Sequence, residues 1–202
     1  MSEFQYYEFV AIDRPLSLNE RKRLRAITTR ATITSTRLVN TYEWGDFKGD
    51  PHELVAKYFD ALLYYANWGA RRLILRIPTA RLDFKVAKQY CHLRTDAKRG
   101  NRSVAAVARS GKNLVLDLWS ENETGHDWDD TESGALGALV PIRNELMCGD
   151  YRALYLAWQL RAQAGEVAAT ARPRSMPAGM NRLTGSQQAL VEFLRIEIVD
   201  NS

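Results

Sequence analysis

The chain has 202 residues, 46% of them hydrophobic, and a formal net charge of +4. That length suits one large domain or a domain with an appendage, and it can bury a sizeable core. No apolar run approaches the ~20 residues of a membrane span, the opening MSEFQYYEF is no signal peptide, and the two cysteines, Cys91 and Cys148, match no zinc spacing. A membrane protein and a zinc- or disulfide-stapled fold are therefore not expected, and cytoplasmic residence is the default reading.

In chain order, Gln5 to Ile12 is aromatic and β-branched, which predicts a strand. Ser17 and Glu20 form a capping box, and Leu18 to Thr29 follows as a helix. Arg21, Lys22, Arg23 and Arg25 decorate it, either as a solvated surface or as a phosphate-contacting face. Ala31 to Trp44 is rich in Thr, Val, Ile and Tyr and too long for one strand, so a break is expected near Ser35-Thr36. Asp50, Pro51 and Glu53 start a second helix. Its apolar face is predicted to run through Leu54, Val55, Tyr58, Phe59, Leu62 and Tyr65, with Asn67 and Gly69 as terminators. Leu73, Leu75 and Ile77 then alternate with Arg72, Ile74 and Arg76, a strand with one face in the core and one carrying two arginines.

The resulting order, β-α-β-β-α-β, is ferredoxin-like. It is shared by RNA-recognition modules, which carry aromatic motifs on two central strands. Gln5 to Phe9 is aromatic enough for the first motif, whereas Arg37 to Tyr42 is a poor match to the second.

Leu82 to Tyr90 reads as a helix, and the loop after it holds a second basic cluster, Lys98, Arg99 and Arg102. Ser103 to Arg109 and Asn113 to Trp119 are strands joined as a hairpin through Gly111. Glu121 to Glu132 is an acidic loop. Gly134 to Met147 is apolar and broken by Pro141, and Asp150 caps a helix over Tyr151 to Gln163. Residues 166–182 read as a linker, and Gln187 to Ile196 as a short amphipathic helix. The fold class is thus α+β: a ferredoxin-like N-terminal core, a β-hairpin and a mostly helical C-terminal third. The domain covers 1–165, with the linker at 166–182 and a C-terminal helix and tail at 183–202.

Charge is strongly segregated. Arg14 to Lys112 holds 21 Lys and Arg against 8 Asp and Glu, whereas Asn113 to Gly134 holds 7 acids and no Lys or Arg. Either the first half meets an anionic partner or the acidic loop folds back over the basic face.

The acidic loop is the best place for enzyme chemistry, through a magnesium or manganese site on Asp127, Asp129 and Asp130. Its match to a calcium loop fails, because Glu132 and Ala138 stand where Gly and Glu are required. His52, His92 and His126 form no ligand pair, and no nucleophile elbow, P-loop or dinucleotide fingerprint is present. No cofactor or metal is expected. Among the tryptophans, Trp44 and Trp68 are read as packing at the core rim. Trp128, between two aspartates, either ties its own loop down or anchors a partner protein.

FQYYEFVAIDRPLS, VNTYEWGDFKGDP, YANWGARRLILRIP and the run from DWDD through GALGALVPIR to GDYRALYLAWQLRAQAGE resemble the N-terminal part of a family of bacterial hypothetical proteins, as far as about Leu194. Members of that family continue beyond the segment written here as LVEFLRI, which leaves open a short form or one part of a longer protein. The resemblance implies a bacterial cytoplasmic setting and assigns no functional residue.

The leading expectation is a non-enzymatic module, alone or within a larger protein assembly. It would contact an RNA or DNA backbone through Arg21, Lys22, Arg23, Arg25, Arg72, Arg76, Lys98, Arg99 and Arg102. The alternatives are a protein-interaction subunit docking through Trp128 and the C-terminal helix, and a metal-dependent hydrolase using the acidic loop.

Overall fold

The computed structural model describes residues 4–94, 103–122, 134–168 and 176–198. The chain is α+β. Strand β1 (Gln5–Val10) leads to helix α1 (Leu18–Ile27), the short β2 (Thr32–Ile33) and β3 (Arg37–Tyr42). Helix α2 (Pro51–Lys57) precedes β4 (Ala61–Ala66) and β5 (Ala70–Pro78). Helix α3 (Phe84–Tyr90), β6 (His92–Leu93), β7 (Ala105–Ser110) and β8 (Asn113–Glu121) follow. Beyond them come α4 (Ala135–Leu139), α5 (Pro141–Met147), α6 (Arg152–Gln163) and α7 (Gly185–Leu194).

Among the described residues, eight strands form one sheet in the order β2-β3-β1-β4-β5-β8-β7-β6. Every pairing is antiparallel except that of β6 with β7. Both edges end in strands of two residues, which leaves little open ladder for edge-to-edge pairing.

Local chemistry explains the boundaries. Ser17 accepts from the backbone N–H of Glu20, while the Glu20 carboxylate accepts from that of Ser17, so α1 begins in a closed capping box. The Asp50 carboxylate caps α2, with Pro51 in its first turn. Thr184 and Gln187 form a second capping box at α7. Thr34 turns the chain between β2 and β3 by donating its N–H to the Arg37 carbonyl and accepting at its hydroxyl from the Arg37 N–H. Gly111, at φ 58, closes the β7–β8 turn.

The stretch from Tyr58 to Tyr65 corrects the expected long helix. Helix α2 ends at Lys57, and residues 61–66 form strand β4. All six residues of β4 are buried, because both sheet faces are covered. A strand buried on both sides shows no period of two, and an apolar run such as ALLYYA then fits either template. Asn67 and Gly69 accordingly turn a β4–β5 hairpin rather than ending a helix: the Gly69 N–H bonds the Ala66 carbonyl, and Gly69 lies at φ 95.

The two faces carry separate cores. On one, Leu24 of α1 and Leu54 and Val55 of α2 pack on Phe9, Leu38, Leu62, Ile74 and Val115. On the other, helices α3 to α7 pack on Tyr6, Leu63, Tyr65, Leu73, Leu75, Leu116 and Leu118. Helix α7 belongs to this second core. Its Leu190, Phe193 and Leu194 are buried, and the Arg71 guanidinium donates to the Glu192 and Phe193 carbonyls at its C-terminal end. A cation there satisfies carbonyls that have no partner within the helix.

Candidate functional site

Helix α1 carries four cations within five residues. Lys22, Arg23 and Arg25 are exposed and Arg21 is half-buried. Leu24 points into the core and fixes the rotation of the helix. At about 100° per residue, Arg21, Lys22 and Arg25 then form one strip, and Arg23 lies about 100° further round than Lys22. Arg25 donates one terminal nitrogen to the Thr29 and Ala31 carbonyls, at 3.0 and 2.6 Å, which caps its own helix end. Among the described residues, none of the four cations has an ion-pair partner. Arg14, just before the helix, is held instead by Glu20 at 2.7 Å. That contact and the Ser17 N–H pull the Glu20 carboxyl down to about 2.

The two arginines expected on an open face of β5 are not on one. Arg72 is buried and gives Asp117 two bonds of 2.7 Å, from Nε and from Nη2. Its guanidinium also lies 5.8 Å from the Trp119 ring centre. Arg76 donates to Oδ1 of the fully buried Asp60 at 3.1 and 2.6 Å. The reason is register and coverage: β8 pairs along the whole of β5, and α2 lies over that face. A buried guanidinium must be paired, so Arg72 and Arg76 belong to the interior rather than to a phosphate-contacting surface.

Around these pairs lie two ion clusters. In the first, Arg94 also donates to Asp117, at 2.8 Å, and lies 3.9 Å from Asp50. Burial pushes the Asp117 carboxyl up, but Arg72 and Arg94 outweigh it and hold the group below its ordinary range. His52, in the first turn of α2, borders this cluster with its Nε2 buried and unpartnered. Burial and the nearby Arg94 cation lower its pKa, so the ring is neutral at pH 7. In the second, Asp60 accepts from the N–H groups of Ile12 and Asp13, at 2.6 and 3.0 Å, as well as from Arg76. Its carboxyl too stays below the ordinary range: the Asp13 N–H, Arg76 and the Ile12 N–H overcome burial. Arg143 of α5 completes it by bonding Asp13 and the Arg76 carbonyl, both at 2.6 Å.

Among the described residues, every Arg and Asp of the two clusters has an opposite charge within 4.0 Å. Sequence reasoning missed their acids. The available signal was a lone Asp inside the apolar strand NLVLDLW and another before ALLYYA, since an acid buried in such a run requires a cation opposite. A cleft of about 800 Å³ lies between α6 and the chain before α7, lined by Tyr90, Cys148, Asp150, Arg152, Met176 and Arg182 among others. Its Arg152 is spent too, on Asp150 and the Gly179 and Arg182 carbonyls. Cys91 is buried and its thiol is pushed up to about 12, which leaves it unreactive.

Among the described residues, no group of three His, Cys, Asp or Glu side chains is placed to hold a metal ion, and no helix is long and apolar enough to cross a membrane. Lys98, Arg99, Arg102, Trp128 and the acids Asp127, Asp129 and Asp130 lie outside the described residues. No family model, curated protein or solved structure matches the chain.

Proposed function

We propose that the chain is a non-enzymatic binding module that contacts a nucleic-acid backbone through the basic strip of α1. The observation carrying this reading is the contrast in pairing. Arg14, Arg37, Arg72, Arg76 and Arg94 are each held by a carboxylate, while Arg21, Lys22 and Arg23 have no such partner among the described residues. Unpaired surface cations on one rigid helix neutralise phosphates without reading sequence.

We read the first four strands with α1 and α2 as a ferredoxin-like unit, β1-α1-β2-β3-α2-β4, placed as β2-β3-β1-β4 and extended by four further strands. Binding through sheet aromatics, as RNA-recognition modules do, is disfavoured because Tyr6, Tyr7 and Phe9 are buried. The outside of a helix is then the available surface. Lys98, Arg99 and Arg102 stay as sequence-based candidates for the same role. The alternative of docking a partner through the C-terminal helix is weakened, because the apolar side of α7 is already used in the core.

The test is fluorescence anisotropy of labelled RNA and DNA with the full chain, titrated at several salt concentrations. The Arg21→Ala, Lys22→Ala, Arg25→Ala triple variant should bind more weakly and lower the slope of log affinity against log salt by about 2 to 3. An unchanged slope would remove α1 from the interface.

A further inference from the structure

Trp44 does not pack at the core rim. It is 75% exposed, although β3 ends at Tyr42 just before it and the loop after it is anchored. Gln5 donates its side-chain amide to the Gly45 carbonyl at 3.1 Å and to Asp46 at 3.3 Å. Phe47 is buried and stacked on Tyr7 with ring centres 5.0 Å apart. A Cβ added at Gly49 would meet Ile27 Cγ2 at 3.2 Å, so the loop backbone lies against the last turn of α1. The indole is therefore held out by an ordered loop next to the basic helix. The exposed cations of this helix and loop include Lys22 and Arg25 on α1, Arg30 just after it, and Lys48 on the loop itself.

At the same end of the sheet, the β4–β5 turn presents Trp68, 38% exposed. That turn is fixed by the bond from the Phe4 N–H to Asn67 Oδ1 at 3.0 Å. Trp44 follows the end of β3 and Trp68 the end of β4, with β1 between them, so their strands lie roughly 10 Å apart.

We infer that this surface takes single-stranded nucleic acid, with Trp44 as a base-stacking platform continuous with the α1 strip. The inference deepens the backbone-binding reading and rests on it. Phosphates follow the cations of α1 and Lys48, while an unpaired base stacks on the Trp44 indole and a neighbouring base reaches Trp68. A tryptophan face accepts any base, and paired bases inside a duplex cannot present theirs.

The experiment compares the full chain with its Trp44→Ala, Trp44→Phe and Arg21→Ala, Lys22→Ala, Arg25→Ala variants. Each is titrated with labelled oligo-dT, oligo-rU and a mixed-sequence duplex, with an arginine-rich peptide as control. Circular dichroism confirms that each variant is folded. The expected result is a loss of about tenfold or more in single-strand affinity for Trp44→Ala, little change for the duplex, and retention by Trp44→Phe. The basic triple should weaken both ligands, and the dT and rU arms separate DNA from RNA. If Trp44→Ala binds single strands as the parent does while the basic triple fails, the stacking inference falls and the backbone reading stands. If no oligonucleotide binds, both fall. Trp44-dependent binding of the arginine-rich peptide without oligonucleotide binding would overturn both in favour of a cationic protein partner.

Discussion

The stretches RKRLR in α1 and ARRLILR in β5 are both rich in arginine and have opposite fates. In α1 the cations surround one buried leucine; Lys22, Arg23 and Arg25 are exposed, Arg21 is half-buried, and none has an ion-pair partner among the described residues. In β5 the arginines alternate with core residues in a strand covered on both faces. Arg72 and Arg76 are each paired with a carboxylate, and Arg71 caps α7. Location, not residue type, decides whether an arginine is a tool for binding or a structural tie. In water a guanidinium loses little by being unpaired, whereas in the interior an unpaired charge costs several kcal/mol.

If the contrast holds, the largest effect should come from the interior acids. Asp60→Ala removes the acceptor for Arg76 and for the N–H groups of Ile12 and Asp13. It should cost roughly 3 to 5 kcal/mol in urea unfolding. A loss under about 1 kcal/mol would mean that the pair behaves like a surface one.

Arg72 and Asp117 sharpen the point through a double-mutant cycle. Arg72→Leu and Asp117→Leu should each destabilise by roughly 2 to 4 kcal/mol, and the double variant by clearly less than their sum. Additive losses would show that the bidentate pair is not energetically coupled.

Acid titration tests the same interior at smaller amplitude. Asp60 and Asp117 both lie below the ordinary carboxyl value of 3.8. A folded value below the unfolded one means the stabilisation is complete above the unfolded value and is lost as pH falls below it, through the folded values. Unfolding followed by circular dichroism should show stability falling below about pH 4, less steeply in Asp60→Asn. An equally steep fall in that variant would exclude Asp60 from the titration.

The smallest effect belongs to α1. Arg23→Ala, and even the Arg21→Ala, Lys22→Ala pair, should change stability by no more than about 0.5 kcal/mol per site. A larger loss would mean that these cations are structural after all. Arg25 is kept out of this test because it caps the end of α1.

Much of the local structure was readable in the chain. The capping residues Ser17, Glu20, Asp50 and Pro51 announced their helices, and Gly111 announced its turn, because these signals act within a few residues. The basic strip of α1 was readable for the same reason. The error at Tyr58 to Tyr65 arose because burial on both faces erases the alternation that marks a strand. The misplacement of Arg72 and Arg76 has another cause: their partners Asp117 and Asp60 are 45 and 16 residues away and meet them only through the register of β4, β5 and β8.

By itself, the sequence determined the helix starts, the tight turns, the α+β class and the cluster of cations on α1, all set by short-range sterics and hydrogen bonding. Only the tertiary structure decided which arginines are neutralised, that β4 is a strand, that both sheet faces are closed, and that Trp44 stands in solvent beside the basic helix. Burial and pairing depend on which distant segments come to lie against each other, and that is a property of the packed sheet rather than of any window of the chain.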